Sequence, residues 1–307
     1  MKIKKTTTKY KDLYKIPIGK ASEELTEGCI ALEGGAFRGL YTQGVLDVLM
    51  ENGINMSCVL GVSAGALGGM NYVSGQIGRS ARVCLAYRYD KRYIGSRALL
   101  RSKSILDVSF LMESRGALAE PFDSERFFAS KQRYVVLTTN CETGSTTYFE
   151  KGICSDIMAA ARASASMPFI TPEVKIGGFH YLDGGCSCKI PYQWAINQGY
   201  RKIILVRTRE LAYRKPGKES TLVFKAYSRY PEFAEGYSHI NREYNRQCEE
   251  TEKLAERGRI YIIAPSRPVE ISRIEKDLDK MADLYWLGVK DTIAQLDGIK
   301  EYLGIQR

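Results

Sequence analysis

The chain has 307 residues, 44% apolar and 26% charged, a balance that suits a folded globular protein and excludes a disordered or low-complexity one. Eight cysteines are too sparse for a disulfide scaffold at this length. No apolar run reaches the roughly 18 residues a spanning helix needs. The formal net charge of +10 points toward anionic partners.

Residues 1–27 read as a lysine-rich lead-in. Lys2, Lys4 and Lys5 are followed by Thr6-Thr7-Thr8 rather than an apolar core, which does not read as a secretory signal. Leu13, Tyr14, Ile16 and Ile18 offer some packing. Cys29-Ile30-Ala31-Leu32-Glu33 predicts a buried strand running into Gly34-Gly35-Ala36-Phe37-Arg38-Gly39. An amphipathic helix follows over 38–51 and ends at the Asn52-Gly53 cap. A glycine loop between strand and helix presents bare N–H groups to an anion, either a phosphate or an oxyanion. The loop fits neither the P-loop spacing nor the dinucleotide fingerprint, so nucleotide binding is the weaker reading.

The next strand, 57–61, runs into Leu60-Gly61-Val62-Ser63-Ala64-Gly65 and a helix over 64–75. The G-x-S-x-G pattern between strand and helix is a nucleophile elbow: its glycines allow a turn tight enough to expose the Ser63 hydroxyl at a helix start. Further helices are predicted at 78–88, 123–129, 154–164, 191–198, 220–227 and 230–257. Further strands are predicted at 133–139, 146–149, 174–182, 202–207 and 259–264. The strand at 174–182 ends in the acidic turn Asp183-Gly184-Gly185. After Pro265 and Pro268, Ile271, Ile274, Leu278, Met281, Leu284, Tyr285 and Leu287 recur at helical spacing and predict a pair of packing or lid helices. Strands alternating with helices imply an α/β fold with a mostly parallel central sheet, helices on both faces and the site at the carboxyl ends of the strands.

Positive charge clusters in two stretches. Arg79, Arg82, Arg88, Lys91, Arg92, Arg97, Arg101 and Lys103 stand against Asp90 alone. Arg201 to Tyr230 contains Arg207, Arg209, Arg214, Lys215, Lys218, Lys225 and Arg229, and tyrosines are interleaved in both stretches. Two readings stand: solvated helix faces, or contact with an anionic membrane surface. No nucleic-acid-binding motif accompanies the charges. Cys186-Ser187-Cys188 lacks the second pair or histidines of a zinc site, so no metal is expected.

The glycine loop with Arg38, the elbow, the segment Ala161-Arg162-Ala163-Ser164-Ala165-Ser166-Met167-Pro168 with Pro172, and Asp183-Gly184-Gly185 occur in that order. Together they resemble the patatin-like phospholipase family, over roughly residues 28–265, with 266–307 as a helical extension. The resemblance implies Ser63 as nucleophile, Asp183 as general base, and oxyanion N–H groups from Gly34, Gly35 and Ala36. It also implies a substrate-binding role for Arg38 and a lipid ester substrate cleaved through an acyl-enzyme without a cofactor. Ala36 departs from the family's third glycine, and alanine serves there where the backbone needs no positive φ. The order Ser63, Asp183, His239 also matches that of α/β-hydrolase triads, but His239 lies in a charged, tyrosine-rich stretch that reads as a solvent-facing helix. His180, three residues before Asp183, reads as structural. A lipid acyltransferase and a catalytically silent membrane- or partner-binding protein remain the alternatives. The expected location is cytoplasmic, with peripheral contact at the inner membrane surface.

Overall fold

The computed structural model describes residues 10–94, 107–112, 120–217 and 221–305. Lys2, Lys4, Lys5, Arg97, Arg101, Lys103 and Lys218 lie outside the described residues. Strands in chain order are β1 (Gly19–Lys20), β2 (Thr26–Leu32), β3 (Met56–Val62), β4 (Gln76–Ile77), β5 (Arg133–Asn140), β6 (Thr146–Glu150), β7 (Val174–Ile176), β8 (Phe179–Asp183), β9 (Ile203–Val206) and β10 (Tyr261–Ile263). Helices are α1 (Gly39–Glu51), α2 (Ala64–Val73), α3 (Arg79–Tyr87), α4 (Ser124–Ala129), α5 (Ile157–Ser164), α6 (Tyr192–Asn197), α7 (Leu222–Ala226), α8 (Pro231–Ser238), α9 (Ile240–Glu256) and α10 (Leu278–Leu303).

The central sheet runs β10-β9-β2-β3-β5-β8-β7, with β6 also paired to β5; β1 and β4 form a separate short antiparallel pair. Strands β10, β9, β2, β3 and β5 are mutually parallel, while β6, β7 and β8 pair antiparallel. Parallel strands buried on both faces carry near-continuous apolar sequence, as Cys29–Leu32, Cys58–Leu60 and Ile203–Val206 do. Alternate residues feed two layers. Ile30, Leu32, Val59, Val136 and Ile204 join a layer with α1, α2 and α10, and Cys29, Ala31, Leu60, Val135 and Leu205 join one with α6 and α9. The α/β sheet flanked by helices is the architecture expected.

Three local expectations are corrected. The strand expected at 174–182 is a hairpin, β7–β8, because Gly177 and Gly178 both take positive φ and reverse the chain. The helix expected over 230–257 divides at His239, which caps both α8 and α9. The carboxy-terminal pair of helices is, among the described residues, one 26-residue helix, α10. It is not poised as a free lid: it packs tightly across α1. A Cβ on Gly44 would fall 2.2 Å from the Tyr285 carbonyl oxygen, and one on Gly288 2.2 Å from that of Tyr41. The crossing is also sealed by two buried hydroxyls, Tyr285 donating to Asp47 at 2.9 Å and Tyr41 to Asp291 at 3.2 Å.

Candidate active site

The elbow forms where β3 ends. Ser63 takes φ 55°, ψ −121°, a conformation costly for a residue with a Cβ, and its carbonyl accepts the Leu67 N–H at the start of α2. The flanking glycines have a steric cause. A Cβ on Gly61 would meet the Ala66 Cα at 2.5 Å, and one on Gly65 the Leu32 carbonyl oxygen at 2.5 Å. Small residues therefore let the start of α2 press onto the end of β2. The glycine loop closes against the same serine, since a Cβ on Gly34 would lie 2.9 Å from that of Ser63.

Asp183 reaches Ser63 through the register of a third strand. On β5, Val135–Leu137 pair with β3 on one edge and with β6 on the other, while Thr138 and Thr139 pair with both β6 and β8. β3 and β8 therefore meet end to end along one edge of β5. Val62 stands opposite Leu137 and Asp183 opposite Thr138, adjacent positions on the strand. The result is a hydrogen bond from Ser63 Oγ to Asp183 Oδ2 at 2.6 Å, with both residues buried.

One short segment holds both partners. Ser164 Oγ accepts the Ser63 N–H at 2.8 Å, and the Ser166 carbonyl accepts the Asp183 N–H at 2.8 Å. The Asp183 carbonyl accepts from Thr139 Oγ1 at 2.9 Å, and its Oδ1 accepts the Gly185 N–H at 2.7 Å. Burial pushes the Asp183 carboxyl above its ordinary range, opposed by the donors from Ser63 and Gly185. A carboxylate made more basic and aimed at a hydroxyl is a competent proton acceptor.

Among the described residues, no acceptor pairs with the amide N–H groups of Gly34, Gly35 or Ala36. Ala36 has φ 49°, so the position does require positive φ and the alanine is strained there. Glu33, just upstream, is buried and accepts the Thr208 N–H at 2.6 Å, tying the loop to the end of β9.

Two cavities meet at Ser63. One, of about 170 Å³, is mostly apolar, with Leu40, Leu67, Met70, Val83, Phe122 and Ile170 in its wall. The other, of about 320 Å³, is lined by Gly34, Gly35, Arg38, Asp183, Lys189, Arg209, Lys215 and Arg273. Ala36, Ser63, Met167 and Arg273 line both and form the neck.

Every residue expected at the site is therefore brought to one place: Ser63, Asp183, Gly34, Gly35, Ala36 and Arg38 all border the polar cavity. Neither histidine lines either of these two cavities. His180 Nδ1 pairs with Glu142 at 2.7 Å and His239 Nε2 with Glu235 at 3.0 Å.

The basic stretches need correction. Arg79, Arg82, Arg88 and Arg207 are buried and are neither solvated faces nor membrane contacts. Arg79 binds Asn71 at 2.8 Å, Arg82 binds Glu120 at 2.7 Å, and Arg207 binds Glu252 at 3.0 Å. Arg88 donates to the Glu275 carbonyl. Sequence reasoning also missed Ser164 and Ser166 as anchors, although they lie in the alanine- and serine-rich segment already singled out. It missed Lys189 and Arg273 altogether, and only tertiary contact brings them to the site.

Comparison with known proteins gives the family. The family model described as patatin-like phospholipase matches residues 30–196, and one described as a domain of unknown function, DUF6363, matches 230–304. The chain is 31% identical over 190 residues to the uncharacterized protein YjjU of Escherichia coli K12, covering 59% of this chain and 52% of YjjU. It is 26% identical over 195 residues to the lysophospholipase NTE1 of Debaryomyces hansenii, covering 61% of this chain and 12% of that protein. It thus spans about half or less of these relatives. The crystal structure of VipD from Legionella pneumophila aligns over 91% of this chain and 68% of its own, at 14% identity and a TM-score of 0.49. With a family model covering more than half of its length, the chain belongs to the patatin-like phospholipase family.

Proposed function

We propose that the protein is a serine hydrolase that cleaves carboxylic ester bonds of lipids through a Ser63–Asp183 dyad. The observation that carries the reading is the 2.6 Å contact between the two side chains at the neck of an apolar and a polar cavity. Ser63 Oγ attacks the acyl carbon while its proton passes to Asp183 Oδ2. The negative charge that forms on the carbonyl oxygen is met by the unpaired N–H groups of Gly34, Gly35 and Ala36. As the carbon–oxygen bond breaks, the leaving alcohol takes the proton from Asp183. Water, deprotonated by the same carboxylate, then releases the acid and restores Ser63. The apolar cavity suits the acyl chain.

Resolution of the acyl-enzyme by an added alcohol would make the protein an acyltransferase, and product analysis with and without an acceptor separates the two. A fluorophosphonate probe tests the core of the reading. It labels Ser63 in the native protein and not in Ser63→Ala; absence of labelling in a folded native protein would favour a silent scaffold.

The outer face supports peripheral membrane contact. No helix of the described residues is long and apolar enough to cross a membrane. Phe169, which lines the apolar cavity, is 55% exposed, and Leu222 and Phe224 on the neighbouring α7 are also exposed, with Lys225 and Arg229 beside them. Tyr227 links the two groups through its hydroxyl, which accepts the Phe169 N–H at 3.0 Å. Apolar side chains ringed by basic ones suit an anionic interface. Cosedimentation with anionic vesicles at low salt, largely lost toward about 1 M salt, is the expected result. Equal binding to zwitterionic vesicles would overturn it.

A further inference from the structure

The polar cavity carries more positive charge than the ester chemistry uses. Arg38, Lys189, Arg209, Lys215 and Arg273 surround it, against the carboxylates of Glu33 and Asp183. Both carboxylates are already engaged: Glu33 by the Thr208 N–H, Asp183 by Ser63 and Gly185. Among the described residues, none of the five cations has a carboxylate within ion-pair distance. Arg38 Nε is buried without a hydrogen-bond partner. Burial and the charges of Lys189, Arg273 and Arg38 press Lys215 down to about 6, Glu33 opposing them, so its ammonium form at neutral pH calls for an anion beside it. Burial likewise lowers Lys189 and Arg38. Like charges crowded around one cavity are stabilised by an anion placed among them.

The aromatic walls narrow the chemistry. Tyr213 and Tyr244 would suit a quaternary ammonium, but their faces are already covered. The Arg209 guanidinium lies 4.4 Å from the Tyr213 ring centroid and the Lys215 ammonium 4.6 Å from that of Tyr244. A choline group would be repelled by the Arg209 guanidinium at Tyr213 and would find the Tyr244 ring already covered by Lys215. Arg273, at the neck, borders both the acyl cavity and the charged one. It comes, with Tyr237 and Tyr244, from the segment matched by the model of unknown function.

We propose that this cavity is a headgroup subsite for a phosphomonoester, so that the substrate class is an acyl lipid ending in a phosphate, of the lysophosphatidate or phosphatidate type. The inference rests on the hydrolase reading. In the cavity wall, the 230–304 segment supplies Arg273 and the aromatic side chains of Tyr237 and Tyr244.

The test compares lysophosphatidate, lysophosphatidylcholine and monoacylglycerol of one chain length. The native protein favours lysophosphatidate in kcat/KM by at least about 10-fold over each of the others. In Lys215→Met/Arg273→Met that ratio falls to within about 3-fold. Lys215→Glu alone, checked for native thermal unfolding, lowers it in the same direction and guards against a misfolded double variant. Calorimetry with glycerol 3-phosphate reads the subsite without catalysis, so it still decides the question should Ser63 fail to label. Glycerol 3-phosphate binds the native protein more tightly than inorganic phosphate does, and the double variant loses that binding. Equal kcat/KM for the three lipids overturns the proposal. Binding of inorganic phosphate as tight as that of glycerol 3-phosphate overturns it too, by marking a site for free phosphate.

Discussion

The two cavities that meet at Ser63 are made of opposite materials and drawn from different parts of the chain. The apolar side comes largely from α1, α2, α3 and the segment 108–112, all in the first half. The charged side takes its loop from β2 but its cations mainly from residues 189–273. Apolar packing collects side chains that the helix period already aligns on one face. A charged pocket needs cations held near one another at an electrostatic cost, which requires distant elements to fix each of them. Positive charge that reads as surface in the sequence is therefore divided among three fates: buried structural arginines, a cavity wall, and an exposed rim beside Phe169.

The sharpest way to break the comparison is to remove the group the cavities share. Ser63→Ala should lower hydrolysis of a p-nitrophenyl ester by about 10³-fold or more, and Asp183→Asn nearly as far, because members of one catalytic unit are not additive. His239→Ala should stay within about 2-fold, since its ring pairs with Glu235 away from both cavities. Loss of activity in that variant with survival of Asp183→Asn would restore a histidine-based triad.

Next in size is the anchor beneath the neck. Ser164→Ala leaves the Ser63 N–H without its acceptor, at a cost of about 1–3 kcal/mol in stability. Displacement of the hydroxyl should slow both fluorophosphonate labelling and ester hydrolysis about 10- to 100-fold. Unchanged labelling would mean that the elbow holds its geometry without the serine.

A change confined to the apolar side should separate the cavities. Leu67→Trp narrows the acyl chamber from α2, where Leu67 is only half-buried and the helix can carry the larger ring. Long-chain esters should lose about 10-fold in kcat/KM while an acetyl ester changes little. Equal losses for both chain lengths would deny that the chain occupies this cavity.

The smallest effect concerns acid. Because burial raises the Asp183 carboxyl, kcat/KM should fall as pH drops through a value above the ordinary carboxylate range, and Ser63 labelling should follow the same curve. The folded protein then binds that proton more tightly than the unfolded chain does. This group's contribution favours the fold at low pH and is lost as pH rises through the folded value. Asp183→Asn should accordingly raise Tm by about 2–4 °C at pH 8, with the gain fading in acid. A variant less stable at pH 8 would show that the ionised carboxylate is worth more to the fold than its burial costs.

The amino-acid sequence by itself determined the elements whose signals are local. The apolar runs at Cys29–Leu32 and Cys58–Leu60 marked buried parallel strands, and Gly61, Ser63 and Gly65 marked a turn that no bulkier residues could make. The order of loop, elbow and Asp183-Gly184 pointed to the right family because each piece is a short backbone requirement. Tertiary structure alone decided that Val62 and Asp183 stop at neighbouring positions on β5, because register depends on strand pairings distant in sequence, and these bring together Ser63 and Asp183, 120 residues apart. It also decided that the reversal at Gly177-Gly178 is a hairpin, since two adjacent glycines permit extended and left-handed backbone alike. Charge was the least legible property. Whether an arginine is buried, rimmed or aimed into a cavity depends on which carbonyls and carboxylates arrive beside it, and Arg82, Arg209 and Arg273 look alike until the chain has folded.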